Sequence, residues 1–217
     1  MKKLSVTRHT QKAKSADCGP TTARMILEHF GVVRTTQELA KELRYGDFGT
    51  YISDNGLLFL REGLSAKLIT ANTILFDYED RKRLTTKKKV ILYLKGLLRG
   101  NLKTMRRFKP GIRIMLQFLE AGGSIAIEIP SFSHIKEAID AGKLVMALVV
   151  PNAFSVVGSF HHFVVVNGYD AHYIYITDPW PKSSVTKVAI NDFMYSVHAS
   201  TVGDLDTGSL LIIGARR

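Results

Sequence analysis

The sequence predicts an α+β fold in which a helical N-terminal lobe packs on a mostly antiparallel β lobe. Apolar residues of the first half recur at helical spacing. The second half instead contains short β-branched or aromatic runs separated by turn signals such as Asn167-Gly168. We therefore expect one domain, 1–217, with a helical lobe at 1–122 and a β lobe at 123–217.

The predicted helices follow from apolar spacing and end signals. One apolar face with spacing i, i+3, i+4, i+7 runs from Ala23 to Phe30 and ends at Gly31. Thr35 and Glu38 fit a capping box at the start of a second helix. Further helices are predicted at 57–61, 90–98, 112–119 and 134–141.

The predicted strands are short and end at turn signals. None of the apolar runs approaches the roughly 18 residues of a membrane span, and the longest, 144–150, has the length of a strand. The strands are predicted at 124–129, 144–150, 163–166, 173–177, 185–190 and 210–213.

The composition is that of a globular protein, with 46% hydrophobic and 23% charged residues. Met1 and two lysines are followed by polar residues rather than by an apolar signal-peptide core. The single cysteine, Cys18, excludes an internal disulfide. These features predict a cytoplasmic protein.

Positive charge is concentrated in one part of the chain, residues 81–113, which we call the basic segment. It contains thirteen Lys or Arg and no Asp or Glu. The net charge of the whole chain is +11, so the remaining residues sum to −2. The basicity is therefore a property of this segment.

Cys18 is a candidate nucleophile because of its position at the start of the first helix. Pro20 suits a first helical turn, and backbone N–H groups and the helix dipole stabilise an anion there. A thiolate is the nucleophilic form of cysteine. A lone Cys is more often a small buried hydrophobe, but Cys is a poor N-cap residue, so a purely structural role explains this position badly.

A thiolate needs a base, and the base needs an acceptor that orients it. His161 and His162 begin an apolar strand, and neighbouring residues on a strand face opposite sides, so the pattern alone does not choose between them. A hairpin turning at 167–171 would bring Asp178 back beside His162. An Asp-Pro turn is common, so Asp178 alone is weak evidence.

Together these motifs resemble a known family. They are Cys-Gly-Pro at 18–20, an upstream Gln11, the run His-Phe-Val-Val-Val-x-Gly-Tyr-Asp from residue 162 to residue 170, and Asp-Pro at 178–179. The chain resembles the bacteriocin-processing, double-glycine leader peptidases and their free-standing relatives, which are papain-like cysteine peptidases. The resemblance covers about residues 8–70 and 121–180, and the Cys–His separation falls within the roughly 130–150 residues typical of papain-type enzymes.

The resemblance implies a papain-like fold with the active site in the cleft between the two lobes. It also implies that Cys18 is the nucleophile, His162 the general base and Asp178 the group that orients His162. Gln11 would donate to the oxyanion alongside the backbone N–H of Cys18. Gln11 lies one residue further from the cysteine than is usual in the family, and His161 is left as a structural neighbour. We expect no cofactor and no metal.

Two reactions are open to an acyl-Cys18 thioester. Transfer to water makes the enzyme a peptidase-like hydrolase of peptide or amide bonds. Transfer to an amine makes it an acyltransferase or amide-forming enzyme in a biosynthetic pathway, and the same triad serves both. Family frequency favours the hydrolase. A non-catalytic binding module would need a broken triad, whereas all three residues are present.

The basic segment is either a solvated surface or a docking face for an anionic partner. Among anionic partners, an acidic acyl-carrier protein is the favoured one, because it delivers thioesters to a Cys nucleophile. An anionic membrane surface is less favoured, because Gly96 and Gly100 weaken the helix. Nucleic acid is disfavoured, since only Tyr93 and Phe108 offer stacking rings and no recognition motif is present.

Overall fold

The structure is a computed structural model that describes residues 1–13, 15–46, 49–100, 103–153, 161–199, 205–206 and 208–216. Within these ranges, helices cover both faces of one large, mostly antiparallel sheet. The predicted α+β class is confirmed.

The helices of the described residues begin and end at clear sequence signals. At the second helix, the Thr35 hydroxyl accepts a hydrogen bond from the backbone N–H of Glu38, and the Glu38 carboxylate accepts one from the Thr35 backbone, which confirms the predicted capping box. The α-helices are α1 (Cys18–His29), α2 (Thr36–Glu42), α3 (Ile52–Arg61), α4 (Tyr78–Arg83), α5 (Lys87–Arg99), α6 (Lys109–Glu120), α7 (Phe132–Asp140) and α8 (Ile190–His198). Two 3-10 helices lie at Lys103–Phe108 and Pro151–Ala153.

Eight of the ten described strands form the large sheet, in the order β5-β4-β10-β6-β7-β8-β9, with β1 beside β7. Only the β4–β5 pair is parallel within this sheet, and β2 pairs with β3 separately. The strands are β1 (Lys2–Lys3), β2 (Tyr45–Gly46), β3 (Gly49–Thr50), β4 (Leu64–Thr70), β5 (Ser124–Ile127), β6 (Leu144–Val149), β7 (His162–Tyr169), β8 (Tyr173–Thr177), β9 (Lys187–Ala189) and β10 (Ser209–Ala215).

Alternating side chains of the central strands build a separate apolar core on each face of the sheet. Phe163 and Val165 of β7 join the core that contains residues of α1, α3 and α6. Val164 and Val166 join the core beneath α7 and α8. Each fully buried side chain of this kind contributes roughly 1.5–3 kcal/mol. The first of these cores holds α1 against β7, which is the contact that the candidate site uses.

Several elements differ from the predicted ones. β4 lies in the half of the chain predicted to be helical, and it sits inside the sheet between β5 and β10. Leu64 and Ala66 of β4 are buried whereas Lys67 between Ala66 and Leu68 is exposed, so its residues alternate as in a strand with one exposed face. Ile190, predicted to end a strand, begins α8, and α4 was not predicted.

The start of β7 and the end of β8 lie side by side, because the two strands are antiparallel neighbours. They meet at one edge of the sheet, the edge that is formed by the ends of the strands. The N-terminal end of α1 reaches the same edge, where Cys18 contacts His162. This edge is therefore where the candidate residues collect. None of the helices in the described ranges has the length and apolar character that crossing a bilayer requires.

Candidate active site

Cys18 is the first residue of α1, and its side chain is partly exposed. Asp17 precedes it as the N-cap residue, and its side chain makes no capping hydrogen bond. The backbone N–H groups of the first turn therefore point towards the N-terminal end of the helix, where the Cys18 sulfur lies. The backbone of Gly19 hydrogen-bonds the Cys18 sulfur. A negative charge on this sulfur is stabilised by the helix terminus.

The position directly after Cys18 has no room for a side chain, because Thr50 of β3 lies against the Gly19 Cα. A Cβ atom at position 19 would lie 2.0 Å from the Thr50 hydroxyl oxygen, well inside van der Waals contact. That hydroxyl also accepts a hydrogen bond of 3.2 Å from the Asn55 side chain of α3. The first turn of α1 is thus packed tightly between the β2–β3 pair and α3.

His162 and Asp178 form the hydrogen bond that the predicted hairpin required. The His162 Nε2 atom lies 2.7 Å from the Asp178 Oδ1 atom, and both side chains are buried. His162 begins β7 and Asp178 follows the last residue of β8, so the hairpin sets their separation. His162 also hydrogen-bonds Cys18, which completes a chain of three side chains.

Strand alternation alone does not choose between His161 and His162. His162 has the same parity as Val164 and Val166, which face away from α1 into the α7–α8 core. At the end of the strand the ring nevertheless reaches both Cys18 and Asp178. His161, directly before β7, is half-buried. The Asp178 hydrogen bond therefore distinguishes His162, as the family resemblance implied.

The pKa directions of the three groups favour their charged forms. Burial acts to raise the pKa of the Cys18 thiol, but the hydrogen bond and positive charge of His162, with backbone hydrogen bonds from Phe163 and Gly19, lower this pKa overall. Burial acts to lower the pKa of His162, yet its hydrogen bonds to Asp178 and Cys18 raise it to about 9. Burial acts to raise the pKa of Asp178, and the hydrogen bond and charge of His162 lower it overall.

Gln11 lies beside the loop that follows Asp178. Its backbone N–H donates to the Pro179 carbonyl at 2.9 Å, and its buried side chain donates through Nε2 to the Ser15 carbonyl at 3.0 Å. Its Oε1 atom has no hydrogen-bond partner among the described residues. The structure therefore brings Gln11 to the Asp178 loop but shows no hydrogen bond to Cys18 in the described part of the chain.

Two aromatic residues that were not predicted border the site. The Trp180 ring stands perpendicular to the His162 ring, with centroids 5.9 Å apart, and the Trp180 backbone N–H donates to Asp178 Oδ1 at 2.8 Å. On the other side, the Tyr45 hydroxyl donates to Asp17 at 3.1 Å. Trp180 could have been suspected from its place two residues after Asp178, whereas the sequence around Tyr45 carries no signal.

The arrangement can perform nucleophilic attack by a thiolate with an imidazolium as proton donor. Among the residues that the structure describes, no three His, Cys, Asp or Glu side chains cluster in a way that would hold a metal ion.

Comparison with known proteins gives one family match. A model of the Peptidase_C39-like family matches residues 81–207, which is more than half of the chain. The matched range includes His162 and Asp178 but neither Gln11 nor Cys18. No curated protein sequence matches the chain.

Several solved structures share the fold at low sequence identity. A double glycine motif protease from an AMS/PCAT transporter, in complex with the leader peptide, is 15% identical over 99% of this chain and 95% of that one, with a TM-score of 0.52. The peptidase domain of Streptococcus ComA, a bifunctional ABC transporter of a quorum-sensing pathway, is 14% identical over 96% and 98%, with a TM-score of 0.50. A C39-like peptidase from Bacillus anthracis is 14% identical over 100% and 98%, with a TM-score of 0.58. The predicted papain-like fold of this peptidase class is confirmed.

Proposed function

Because the chain belongs to the Peptidase_C39-like family, we propose that it is a cytoplasmic cysteine peptidase that hydrolyses peptide bonds through an acyl-Cys18 thioester. The observation that carries this proposal is the hydrogen-bonded series of Cys18, His162 and Asp178. Its lowered thiol pKa and raised imidazole pKa are the directions that a thiolate–imidazolium pair requires.

In the proposed reaction, the Cys18 thiolate attacks the substrate carbonyl carbon and forms a tetrahedral intermediate. The intermediate's oxyanion accepts hydrogen bonds from the Cys18 backbone N–H and from the Gln11 side chain, whose amide turns from the Ser15 carbonyl towards the substrate. Collapse breaks the C–N bond, and the His162 imidazolium protonates the leaving amine. A thioester on Cys18 remains.

Water then resolves the thioester. Neutral His162 removes a proton from the attacking water, the C–S bond breaks, and the carboxylic acid product leaves as the thiolate–imidazolium pair re-forms. Asp178 accepts the hydrogen bond from His162 in both halves of the reaction, so the ring keeps one orientation.

We propose a peptide as the substrate. The similar double glycine motif protease is seen in complex with the leader peptide, which supports a peptide as the substrate of this chain. In this chain, Tyr45 contacts Asp17 next to Cys18, and the Trp180 ring contacts His162. A peptide bound between these rings would present a carbonyl to the sulfur.

The second candidate is acyl transfer from an acidic carrier protein to an amine. Exposed cations of the basic segment favour it, since Lys87, Lys88, Lys89 and Arg99 of α5 form no ion pair with any described residue. Four strand spacings separate β5, which contacts α5, from β7, or roughly 19 Å. A carrier docked on α5 would have to deliver its acyl group across this distance, and the family match supports hydrolysis as the favoured proposal.

A library of proteome-derived peptides tests the peptidase directly. New peptide termini, identified by mass spectrometry, are expected with the wild-type chain and should be absent with Cys18→Ala. His162→Ala should lower the rate on the order of a hundredfold or more, the usual scale for general acid–base catalysis. The matched control is His161→Ala. Full cleavage by Cys18→Ala, or a larger loss in the control than in His162→Ala, would overturn the assignment.

A simple thioester separates the two candidates. An N-acyl cysteamine thioester is offered with and without glycinamide, and the products are identified by mass. Free acid in both reactions supports hydrolysis, whereas amide as the main product with glycinamide would establish acyl transfer. Lys87→Glu with Lys88→Glu should leave this small substrate unaffected and slow a carrier-bound one, increasingly so at low salt.

A further inference from the structure

The first residues of the chain lie along the candidate site, and we call residues 4–11 the N-terminal strap. Residues Lys2 and Lys3 of β1 pair with the end of β7. The strap then continues: the Leu4 N–H donates to the Asn167 carbonyl at 2.7 Å, and the Asn167 side chain donates back to the Leu4 carbonyl at 2.9 Å. These contacts attach the start of the strap to the strand that begins with His162.

Two contacts attach the middle of the strap to α1. The Ser5 carbonyl lies 2.7 Å from the His29 ring nitrogen Nδ1, and His9 pairs with Glu28. Because Glu28 and His29 form the C-terminal end of α1, the strap spans from this end of the helix to the edge where Cys18 lies. The path of the strap is thus set by its contacts with β7 and α1, the elements that contain His162 and Cys18.

The end of the strap holds the loop that contains Asp178. The Arg8 guanidinium donates through Nε to the Asp178 carbonyl at 2.9 Å and through Nη2 to the Trp180 carbonyl at 2.6 Å. The Gln11 N–H donates to the Pro179 carbonyl between them. The backbone carbonyls of three consecutive residues that follow the end of β8 therefore all accept hydrogen bonds from the strap. Hydrogen bonds from a charged donor are the stronger kind.

Arg8 has no carboxylate partner among the described residues. Its guanidinium group hydrogen-bonds these carbonyls instead of forming an ion pair. The loop that it holds sets two features of the candidate site. The Trp180 N–H fixes the Asp178 carboxylate that faces His162, and the Trp180 ring covers the His162 ring. A shift of the loop backbone would therefore displace the Asp178 carboxylate and the Trp180 ring together.

We propose that Arg8 is a positioning residue, which holds the Asp178–Trp180 loop so that the Asp178 carboxylate stays hydrogen-bonded to His162. This inference rests on the proposed function, because it assigns a purpose to the same three side chains. It adds that the N-terminal strap is part of the catalytic apparatus, although the strap and the Asp178 loop lie about 170 residues apart in sequence.

Alkylation of Cys18 by iodoacetamide tests the proposal without knowledge of the substrate. Cys18 is the only cysteine, so the reaction reports this thiol alone. The rate is measured at pH 6, where only an activated thiol is ionised, and at pH 10, where any accessible thiol is. The ratio of the two rates reports how readily the Cys18 thiol ionises, separately from how easily iodoacetamide reaches it. If Arg8 had a merely structural role, its loss would change both rates by the same factor.

In Arg8→Ala the ratio of the pH 6 rate to the pH 10 rate is expected to fall, by about tenfold for each unit that the thiol pKa rises above 6. The matched control Arg61→Ala removes an exposed arginine of α3 and should leave the ratio unchanged. An unchanged ratio in Arg8→Ala would overturn the proposal. If Arg8→Ala does not fold, Arg8→Lys decides by the same criterion, since an ammonium group cannot reproduce the two-pronged contact.

The same assay distinguishes failure of this inference from failure of the proposed function. His162→Ala should reduce the ratio at least as much as Arg8→Ala does. If His162→Ala leaves the ratio at the wild-type value, the thiolate–imidazolium pair is absent and both proposals fall. If His162→Ala lowers the ratio and both Arg8 variants match the wild type, the role of Arg8 alone is wrong.

Discussion

Thr22 of α1 donates its hydroxyl hydrogen to the carbonyl of Phe163 in β7, at 3.1 Å. The bond is buried, and it joins the helix that begins with Cys18 to the strand that begins with His162. The two candidate catalytic residues therefore lie on elements that are tied together one turn below the sulfur. The neighbouring Thr21 hydroxyl is also buried but has no hydrogen-bond partner among the described residues.

This pair of threonines gives a matched test of stability. Thr22→Val, which loses the hydrogen bond to Phe163, is expected to lower the free energy of unfolding by about 1–2 kcal/mol. Thr21→Val, which removes an unsatisfied buried hydroxyl, should be neutral or stabilising. Urea unfolding of both variants checks the difference. Equal destabilisation by the two substitutions would contradict the assigned role of the Thr22 hydroxyl.

The pH dependence of hydrolysis follows from the two coupled groups. The lowered pKa of Cys18 keeps the thiolate present below the roughly 8.5 of an ordinary thiol. The pKa of His162, raised to about 9, keeps the imidazolium present until that pH. Activity should therefore decline only as the pH rises through about 9, when the leaving amine loses its proton donor. A decline centred near pH 6.5, the ordinary histidine value, would contradict the ion pair.

Trp180 keeps water away from the His162 ring. Trp180→Ala leaves the backbone N–H that holds Asp178 intact but removes the ring beside His162. Burial is the largest single influence on the pKa of His162 and acts to lower it, so exposing the ring should raise this pKa and move the alkaline decline of activity to higher pH. Trp180→Phe, which retains a ring, is the control. An unmoved pH profile in Trp180→Ala would show that the ring has no such effect.

Close packing at Gly19 can be tested by a double-mutant cycle. Gly19→Ala places a methyl group 2.0 Å from the Thr50 hydroxyl and should cost about 1–3 kcal/mol of unfolding free energy, the usual range for overpacking. Thr50→Ala removes that oxygen and should recover part of the loss when the two substitutions are combined. Strictly additive losses in thermal or urea unfolding would mean that Thr50 is not the obstacle.

The sequence predicted the parts of the fold that depend on local pattern. The capping box of Thr35 and Glu38 and the apolar face of α1 need only residues within a few positions of one another. The β7–β8 hairpin likewise follows from two adjacent apolar runs and one turn. These local signals sufficed to place His162 beside Asp178. The roles of Cys18, His162, Asp178 and Gln11 remain proposals that the experiments above test.

Features that depend on distant partners were not predictable in this way. β4 became a central strand because β5 and β10 flank it, and β10 follows it by well over a hundred residues. Arg8 looks like any exposed arginine in sequence, and only the folded chain shows that its hydrogen-bond partners are the carbonyls of Asp178 and Trp180. Tyr45 contacts Asp17 only because β2 folds back beside α1.

The position of β10 has a consequence for the order in which the chain can fold. β10 follows every other strand in sequence, yet it joins the β5–β4 pair to β6 and the strands beyond it. During synthesis from the N-terminus, the two portions of the sheet remain unconnected until residues 209–215 have left the ribosome. Such long-range pairing is slow to form. The β5–β4 pair is therefore expected to join the rest of the sheet only after β10 has been translated.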